Sequence, residues 1–179
     1  MASHRLKYSD LKEGYELSLD NAKQLQTEAK ILVSAKHYSR AYSLFQLAKE
    51  EVGKCMLLQI AMIADVFGEF VDIKWLNEKG FCDHQAKTKF GLGLYDVFVT
   101  FAEQYCNKNL SLIHEELKNA AKNIKQIDHL KNSSLYVGFT GNKFMHPQDV
   151  VTEEMVHNIE LETVTTQHLK YRVRCYACH

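Results

Sequence analysis

Apolar side chains recur at three- and four-residue spacing along most of the chain, which is the pattern of amphipathic helices. A first stripe over residues 11–36 predicts one long helix, with Gly14 as the point where a break would fall. A polar interruption follows, in which Ser39 is predicted as the N-cap of a second helix over residues 40–67. One face of that helix is apolar and is expected in the core, namely Ala41, Phe45, Ala48, Val52 and Cys55.

The helical pattern continues towards the carboxyl end. A third helix is predicted over 83–105, with Asp83 as its cap, and a last one over 152–171. A short extended or turn segment is expected near 135–147. The fourth helix, which precedes this segment, carries a seam for antiparallel packing at Ile113, Leu117, Ala120, Ile124 and Ile127.

Turn-forming residues are scarce. One proline and eight glycines in 179 residues are too few for the many short strands of a sandwich or barrel. A content of 46% apolar and 25% charged residues excludes a disordered chain. We therefore predict one all-α domain over 1–179, a bundle of about five helices. Its first two helices pair as an antiparallel hairpin, its fourth closes the bundle, and residues 171–179 form a flexible tail.

The charge balance limits the partners. Lys plus Arg and Asp plus Glu each total 22, so no global cationic field attracts nucleic acid or anionic lipid. Binding of either kind needs a local patch. The longest apolar run, over 56–66, is too short to span a bilayer, and the amino terminus lacks a signal-peptide pattern. We expect a cytoplasmic protein with no membrane contact, whose five cysteines are thiols.

Polar side chains share a second face of the second helix. They are Arg40, Ser43, Glu50, Glu51 and Lys54, with Leu47 among them. The spacing of the two glutamates from the lysine is that of ordinary surface ion pairs, but a solvated face rarely needs a leucine and Gly53 beside its charges. The row is therefore either a solvated face, or an internal polar network or dimer-interface site. His84 and Lys87, three residues apart, either present a base and a cation together or have structural or solvent-facing roles.

Several motifs carry a resemblance to a known family. They are Asn21-Ala22-Lys23, Tyr38-Ser39-Arg40-Ala41-Tyr42-Ser43-Leu44, Leu47-Ala48-Lys49-Glu50-Glu51-Val52-Gly53-Lys54, Asp83-His84-Gln85-Ala86-Lys87, and Leu130-Lys131-Asn132-Ser133-Ser134-Leu135-Tyr136-Val137 followed by Pro147. Over about residues 20 to 160, the chain thereby resembles the AbiV-type abortive-infection proteins of bacteria. Those proteins are similar in turn to the HEPN superfamily, whose members often cleave RNA in phage defence or toxin systems.

The resemblance implies an all-helical homodimer that acts on RNA or translation without a cofactor or a metal. HEPN nucleases use an arginine, a polar neighbour and a histidine on a late helix. Here Lys131 and Asn132 match the first two positions, and Tyr136 stands in place of the histidine. Because a phenol is a weak base at neutral pH, the proton-transfer group is sought elsewhere, and His84 and His129 are the nearest candidates in the sequence. The expected cleft is lined by Arg40, Glu50, Glu51, Lys54, His84, Lys87, Lys131, Asn132 and Tyr136.

Two functions follow from this set of residues. In the leading interpretation the protein is a metal-independent ribonuclease: the lysines and the arginine hold a phosphate, His84 moves a proton, and the glutamates fix the cations. The alternative is a non-catalytic dimeric module that binds a phage or host protein, which the missing histidine favours. Tyr136 has a simpler alternative of its own, which is packing with the apolar residues around it.

The last five residues, Cys175-Tyr176-Ala177-Cys178-His179, fit the pattern of covalent haem attachment. Haem attachment requires export, and the sequence shows no signal segment. A closed zinc site requires a second Cys-x-x-Cys motif, which the sequence lacks. A redox or metal sensor remains as an alternative to a functionally silent tail, which is the preferred interpretation.

Overall fold

The computed structural model describes residues 4–89, 115, 118–119 and 122–163. Helices dominate these residues, which confirms the predicted all-α class. The elements are α1 (Tyr8–Ser34), α2 (Tyr38–Val66), α3 (Ile73–Glu78), α4 (Ile124–Ser133), the strands β1 (Gly138–Thr140) and β2 (Lys143–Met145), and a 3₁₀ turn (Pro147–Asp149). Residues 84–89 and 153–163 are also helical.

The two long helices follow their predicted stripes. α1 runs through Gly14 without a break, and the apolar face predicted for α2 is buried throughout. Lys36 has a φ of 62°, so it reverses the chain in the left-handed region directly after α1. Because this turn has already redirected the chain, α2 begins at Tyr38, and Ser39 lies buried in its first turn. Ser39 is therefore not the N-cap that the sequence predicts.

The chain divides into two compact units, of which unit 1 comprises residues 1–20 and 50–126. The start of α1 packs on the end of α2 in this unit, where the Cys55 thiol donates to the Tyr15 carbonyl oxygen at 3.7 Å. The sequence pattern does not predict α3, although Asp72 is a regular N-cap whose carboxylate accepts a backbone N–H at 2.7 Å. The core of unit 1 holds Leu11, Leu57, Leu58, Ala61, Val71 and Leu76.

Unit 2 comprises residues 21–49 and 127–179. Here the end of α1 packs on the start of α2, so the two helices are antiparallel, as predicted. The last helical segment begins after Thr152, whose hydroxyl accepts from the Met155 amide at 3.3 Å. The core of unit 2 holds Ala29, Ala41, Tyr42, Phe45, Val151, Val156 and Ile159.

An antiparallel hairpin of β1 and β2 occupies the segment predicted to be extended or turning. Phe139 pairs with Phe144 in the centre of its register. The two residues that join the strands, Gly141 and Asn142, have φ values of 60° and 64°, the left-handed region that a type I′ turn requires at both positions. The turn therefore fixes the register of the hairpin.

Several predicted features lie outside the described residues. They are the third helix beyond residue 89, the seam positions Ile113, Leu117 and Ala120, and the end of the last helix with the Cys175 to His179 tail. A single domain over the whole chain stays a prediction. Within the described part, no helix combines the length and the apolar character that a membrane span requires.

Candidate functional site

A buried carboxylate lies at the centre of the candidate site in unit 1. Glu50 projects from α2 and is almost completely buried. Its Oε2 atom lies 2.5 Å from Nδ1 of His84 and 4.0 Å from the ammonium of Lys87. A buried charge is tolerated only when it is paired and hydrogen-bonded, and Glu50 has both kinds of partner. The structure therefore brings together three of the predicted site residues.

The sequence around Asp83 explains how His84 reaches Glu50. The Asp83 carboxylate accepts hydrogen bonds from the backbone amides of Gln85 at 2.8 Å and Ala86 at 3.2 Å. Asp83 thereby caps the helix that begins at His84, as the sequence predicts. This cap places His84 and Lys87 on successive turns of one helix, so both side chains can meet the same carboxylate.

Gly53 permits the close approach of that helix to α2. A Cβ atom at this position would lie 1.9 Å from the carbonyl oxygen of Lys87, far inside van der Waals contact. Only a residue without a side chain fits between the two backbones. The distance between two helices cannot be read from a single sequence, so this close approach at Gly53 is not predicted by the motif that contains it.

The imidazole of His84 is partly open to solvent, with 55% of its side chain exposed, although its partner Glu50 is buried. An ionised carboxylate can only accept, so Nδ1 carries the proton of the hydrogen bond. In the neutral imidazole, Nε2 is then the acceptor of the ring. A carboxylate that holds the tautomer and orientation of an imidazole in this way is the arrangement used in general-base catalysis.

Glu51 and Lys54 form a separate ion pair on α2. Their charged atoms are 2.6 Å apart, both side chains are partly buried, and the Lys54 ammonium lies 5.5 Å from the centre of the Phe81 ring. This contact joins residues three apart on one helix, as the ion-pair spacing in the sequence predicts. Such pairs stabilise a helix by a few tenths of a kcal/mol. The predicted polar row is thus divided: Glu50 forms tertiary contacts, and Glu51 forms a local one.

The other four predicted site residues belong to unit 2. Lys131 is buried, and its ammonium lies 2.9 Å from the carboxylate of Asp128, one turn earlier on α4. The spacing of three residues between Asp128 and Lys131 is the sequence signal from which this pair could have been predicted. The buried hydroxyl of Ser134 donates to the Lys131 carbonyl oxygen at 2.6 Å and is also hydrogen-bonded to the Ser43 hydroxyl of α2. The segment that contains Lys131 is therefore anchored to α2.

Arg40, Asn132 and Tyr136 are exposed. Tyr136 has 67% of its surface open to solvent, so its alternative interpretation as a packed apolar residue is wrong. The chain turns outward after Ser134, which carries Tyr136 away from the core of unit 2. A cleft lined by all nine predicted residues stays a prediction.

A second polar region lies in unit 2. An open pocket of about 520 Å³ is lined by Val33, Glu153, Glu154, Val156, His157 and Glu160. Glu160 lies 3.8 Å from the Lys30 ammonium, and a hydrogen bond to Glu153 raises the pKa of Tyr38. Nearby, burial and the charge of Glu162 raise the pKa of Tyr42 to about 12. The acidic wall of this pocket repels phosphate, so it does not suit RNA.

Among the residues that the structure describes, no group of three or more His, Cys, Asp or Glu side chains is arranged to hold a metal ion. A family model described as AbiV, of the HEPN type, matches residues 10–166 of the chain. No curated protein and no solved structure matches it.

Proposed function

Because the chain belongs to AbiV, an abortive-infection-related family of HEPN proteins, we propose that it blocks phage infection by cleaving RNA, with His84 as the proton-transfer group. The observation that carries this proposal is the hydrogen bond between the exposed imidazole of His84 and the buried carboxylate of Glu50. We place the activity in a cytoplasmic homodimer, as the family resemblance implies.

The reaction that fits this pair is transesterification at the 2′-hydroxyl of RNA. Nε2 of His84 removes the proton from the 2′-hydroxyl, and the resulting alkoxide attacks the adjacent phosphorus. The bond from phosphorus to the 5′-oxygen breaks, and that oxygen takes a proton from water. The products are a 2′,3′-cyclic phosphate and a 5′-hydroxyl end, and the imidazolium returns its proton to solvent.

Glu50 and Lys87 support His84 without touching the RNA. The Glu50 carboxylate stabilises the imidazolium that forms when His84 takes up the proton. The Lys87 ammonium is buried 4.0 Å from Glu50 and places an opposite charge beside that carboxylate inside unit 1. Lys54, whose side chain is partly open to solvent, supplies a cation for the phosphate in the same unit.

An RNA cleavage assay with matched variants tests this proposal. The purified full chain is incubated with total cellular RNA without added metal, beside His84→Ala, Glu50→Gln and His129→Ala. We expect His84→Ala to lower the rate about 10²- to 10⁴-fold, the usual contribution of a general base. Glu50→Gln should lower the rate about 10- to 100-fold, because a neutral amide does not stabilise the imidazolium. The control His129→Ala, an exposed histidine of α4, should leave the rate unchanged.

Intact RNA with the wild-type chain would remove the ribonuclease proposal, and equal rates for wild type and His84→Ala would remove His84 as its proton-transfer group. Circular dichroism of each variant separates a loss of catalysis from a loss of fold, because the helical signal reports α1 and α2 directly.

A second candidate function is the binding of a phage or host protein without catalysis. The burial of Lys131 favours it, since the ammonium at the family's cationic position is shielded from solvent and also pairs with Asp128 of its own helix. In this case His84→Ala would retain full defence in infected cells, and a pull-down would recover a phage or host protein. Full loss of defence in His84→Ala, with the fold intact, would count against binding alone.

A further inference from the structure

Two helices of unit 1 end in the same kind of turn. α2 ends in a turn at Gly68 and α3 in a turn at Gly80, where φ is 85° and 97°. In each turn the glycine amide donates to the carbonyl oxygen three residues back, and the next amide donates five residues back, all at 3.0 Å. This is the Schellman motif, which favours glycine because φ is left-handed. The ending of a helix therefore accounts for both glycines equally.

The surroundings of the two glycines differ. A Cβ atom at Gly68 would have nothing within 4 Å, whereas a Cβ atom at Gly80 would lie 2.3 Å from the Cβ atom of Ala86. Two carbon atoms in contact are normally about 3.5–4.0 Å apart. Gly80 is buried, and Ala86 belongs to the helical residues 84–89, which we call the His84 segment. The end of α3 needs only the φ of Gly80, but the packing of the His84 segment also needs its missing side chain.

The connection from α3 to the His84 segment is short and hydrogen-bonded. The Asp83 amide donates to the carbonyl oxygen of Gly80 at 2.9 Å, and the Asp83 carboxylate caps the segment. The turn at Gly80 therefore determines where the segment begins.

The His84 segment is confined on two sides. The turn at Gly80 lies against Ala86, and α2 lies against the backbone of Lys87, where Gly53 leaves the necessary space. Successive residues of a helix point in directions about 100° apart. Contacts at residues 86 and 87 therefore restrain both the position of the segment and its rotation about its own axis.

We infer that Gly80 is a positioning residue for His84, because its contact with Ala86 fixes the rotation at which Nδ1 of His84 meets Glu50. Glu50 is buried on α2, whereas 55% of the His84 side chain is exposed, so the histidine must be brought to the carboxylate. Gly80 acts through packing and does not touch the RNA. Its effect on cleavage rests on the proposed function, but the state of the imidazole can be measured without RNA.

Heteronuclear NMR of the histidine rings tests this inference in the full chain, with the His84 signals identified by their loss in His84→Ala. In the neutral ring of wild type at alkaline pH, we expect the proton on Nδ1, because Glu50 accepts it. In Gly80→Ala the added methyl group displaces the segment, and we expect a mixture of the Nδ1–H and Nε2–H forms. Gly68→Ala carries the same left-handed strain without a collision, so it should keep the wild-type form.

A second variant exchanges the methyl group between the two sides of the contact. Gly80→Ala combined with Ala86→Gly leaves one methyl group between the turn and the segment, so the Nδ1–H form should return. Circular dichroism establishes that each variant is folded, and the exchanged variant decides the matter if Gly80→Ala alone does not fold. The inference is overturned by a folded Gly80→Ala with the wild-type form of His84, or by a folded exchanged variant without it.

Cleavage of total cellular RNA without added metal links the contact to activity. Gly80→Ala should lower the rate about 100-fold, the effect of displacing a catalytic group by about 1 Å. Gly68→Ala and the exchanged variant should keep the wild-type rate. Loss of activity in His84→Ala but not in Gly80→Ala would overturn the inference. Uncut RNA with wild type, together with the expected forms of the His84 ring, would refute only the proposed ribonuclease.

Discussion

At the scale of single residues, the absence of a side chain at Gly53 determines how closely the helix of His84 approaches α2. A methyl group there would collide with the Lys87 carbonyl oxygen, which is backbone and can move only with its helix. At Gly14, in α1, the same group would meet the Leu58 side chain at 3.6 Å, an ordinary contact. The two glycines therefore form a matched pair in helices of the same unit.

We predict opposite effects for the two alanine substitutions. Gly53→Ala should lower the free energy of unfolding by about 1–3 kcal/mol, because the two backbones must separate. Gly14→Ala should raise it by about 0.5–1 kcal/mol, because alanine is the better helix former and space is available. Urea denaturation measures both. Equal stability of Gly53→Ala and wild type would show that the close approach does not limit the packing.

The raised pKa of Tyr42 predicts a loss of stability in alkaline solution. Its folded value of about 12 lies above the ordinary value of 10.0, so the folded state holds the phenolic proton more tightly. The stabilisation is fully present below pH 10 and is lost as the pH rises towards 12, by at most about 2.7 kcal/mol. Urea denaturation at several pH values should show a smaller loss for Tyr42→Phe than for wild type over that interval. The exposed Tyr136→Phe serves as the control, and parallel curves for Tyr42→Phe and wild type would contradict the prediction.

At the scale of elements, the sequence predicts what depends on local periodicity and capping. The buried face of α2 follows from a period of 3.6 residues, and the cap at Asp83 follows from its position before a helical stripe. α3 is not predicted, because six residues are too few to show a period. The prediction of Ser39 as the N-cap is wrong, because the left-handed turn at Lys36 lets α2 begin already at Tyr38.

The contacts of the candidate site also divide into those that local sequence spacing predicts and those that it does not. Spacing alone indicates the pair of Glu51 with Lys54, since both lie on one helix. The pair of Glu50 with His84 joins residues 34 positions apart, and no periodicity relates them. Both residues are predicted site residues, but the packing at Gly53, and not their spacing, brings them into contact. Pairing across helices is therefore the part that sequence patterns do not supply.

The turn between β1 and β2 allows a prediction about the stability of this hairpin. Gly141 has a φ of 60° and no atom within 4 Å of the position of a Cβ, so Gly141→Ala adds backbone strain without a collision. We expect it to destabilise the hairpin by about 1 kcal/mol, measured as faster hydrogen exchange of the β1 and β2 amides. Gly138→Ala, where a Cβ also meets nothing, is the control and should leave exchange unchanged. Equal exchange in both variants would show that the turn does not hold the register.

At the scale of the whole molecule, the two units are built from shared helices. α1 passes from one unit to the other after Asp20, and α2 does so after Lys49, each within a continuous helix. Neither unit is a single stretch of chain, so neither can be separated by one cut. A helix that loses its packing at one end also loses stability at the other, because helix formation is cooperative along the chain. This connectivity favours a single unfolding transition.

The only tryptophan, Trp75, lies in unit 1, so its fluorescence reports the unfolding of that unit. Phe45→Ala removes a fully buried ring from unit 2 and should cost about 3–5 kcal/mol. We predict that the urea midpoint seen by Trp75 fluorescence falls by the same amount as the midpoint seen by circular dichroism, although the substitution is in the other unit. Leu57→Ala, in the core of unit 1, is the matched control, and both probes should again report one midpoint. In Phe45→Ala, the Trp75 midpoint could instead stay at the wild-type value while circular dichroism shows an earlier step. That result would mean that the units unfold independently. The continuity of α1 and α2 would then not couple the unfolding of one unit to that of the other.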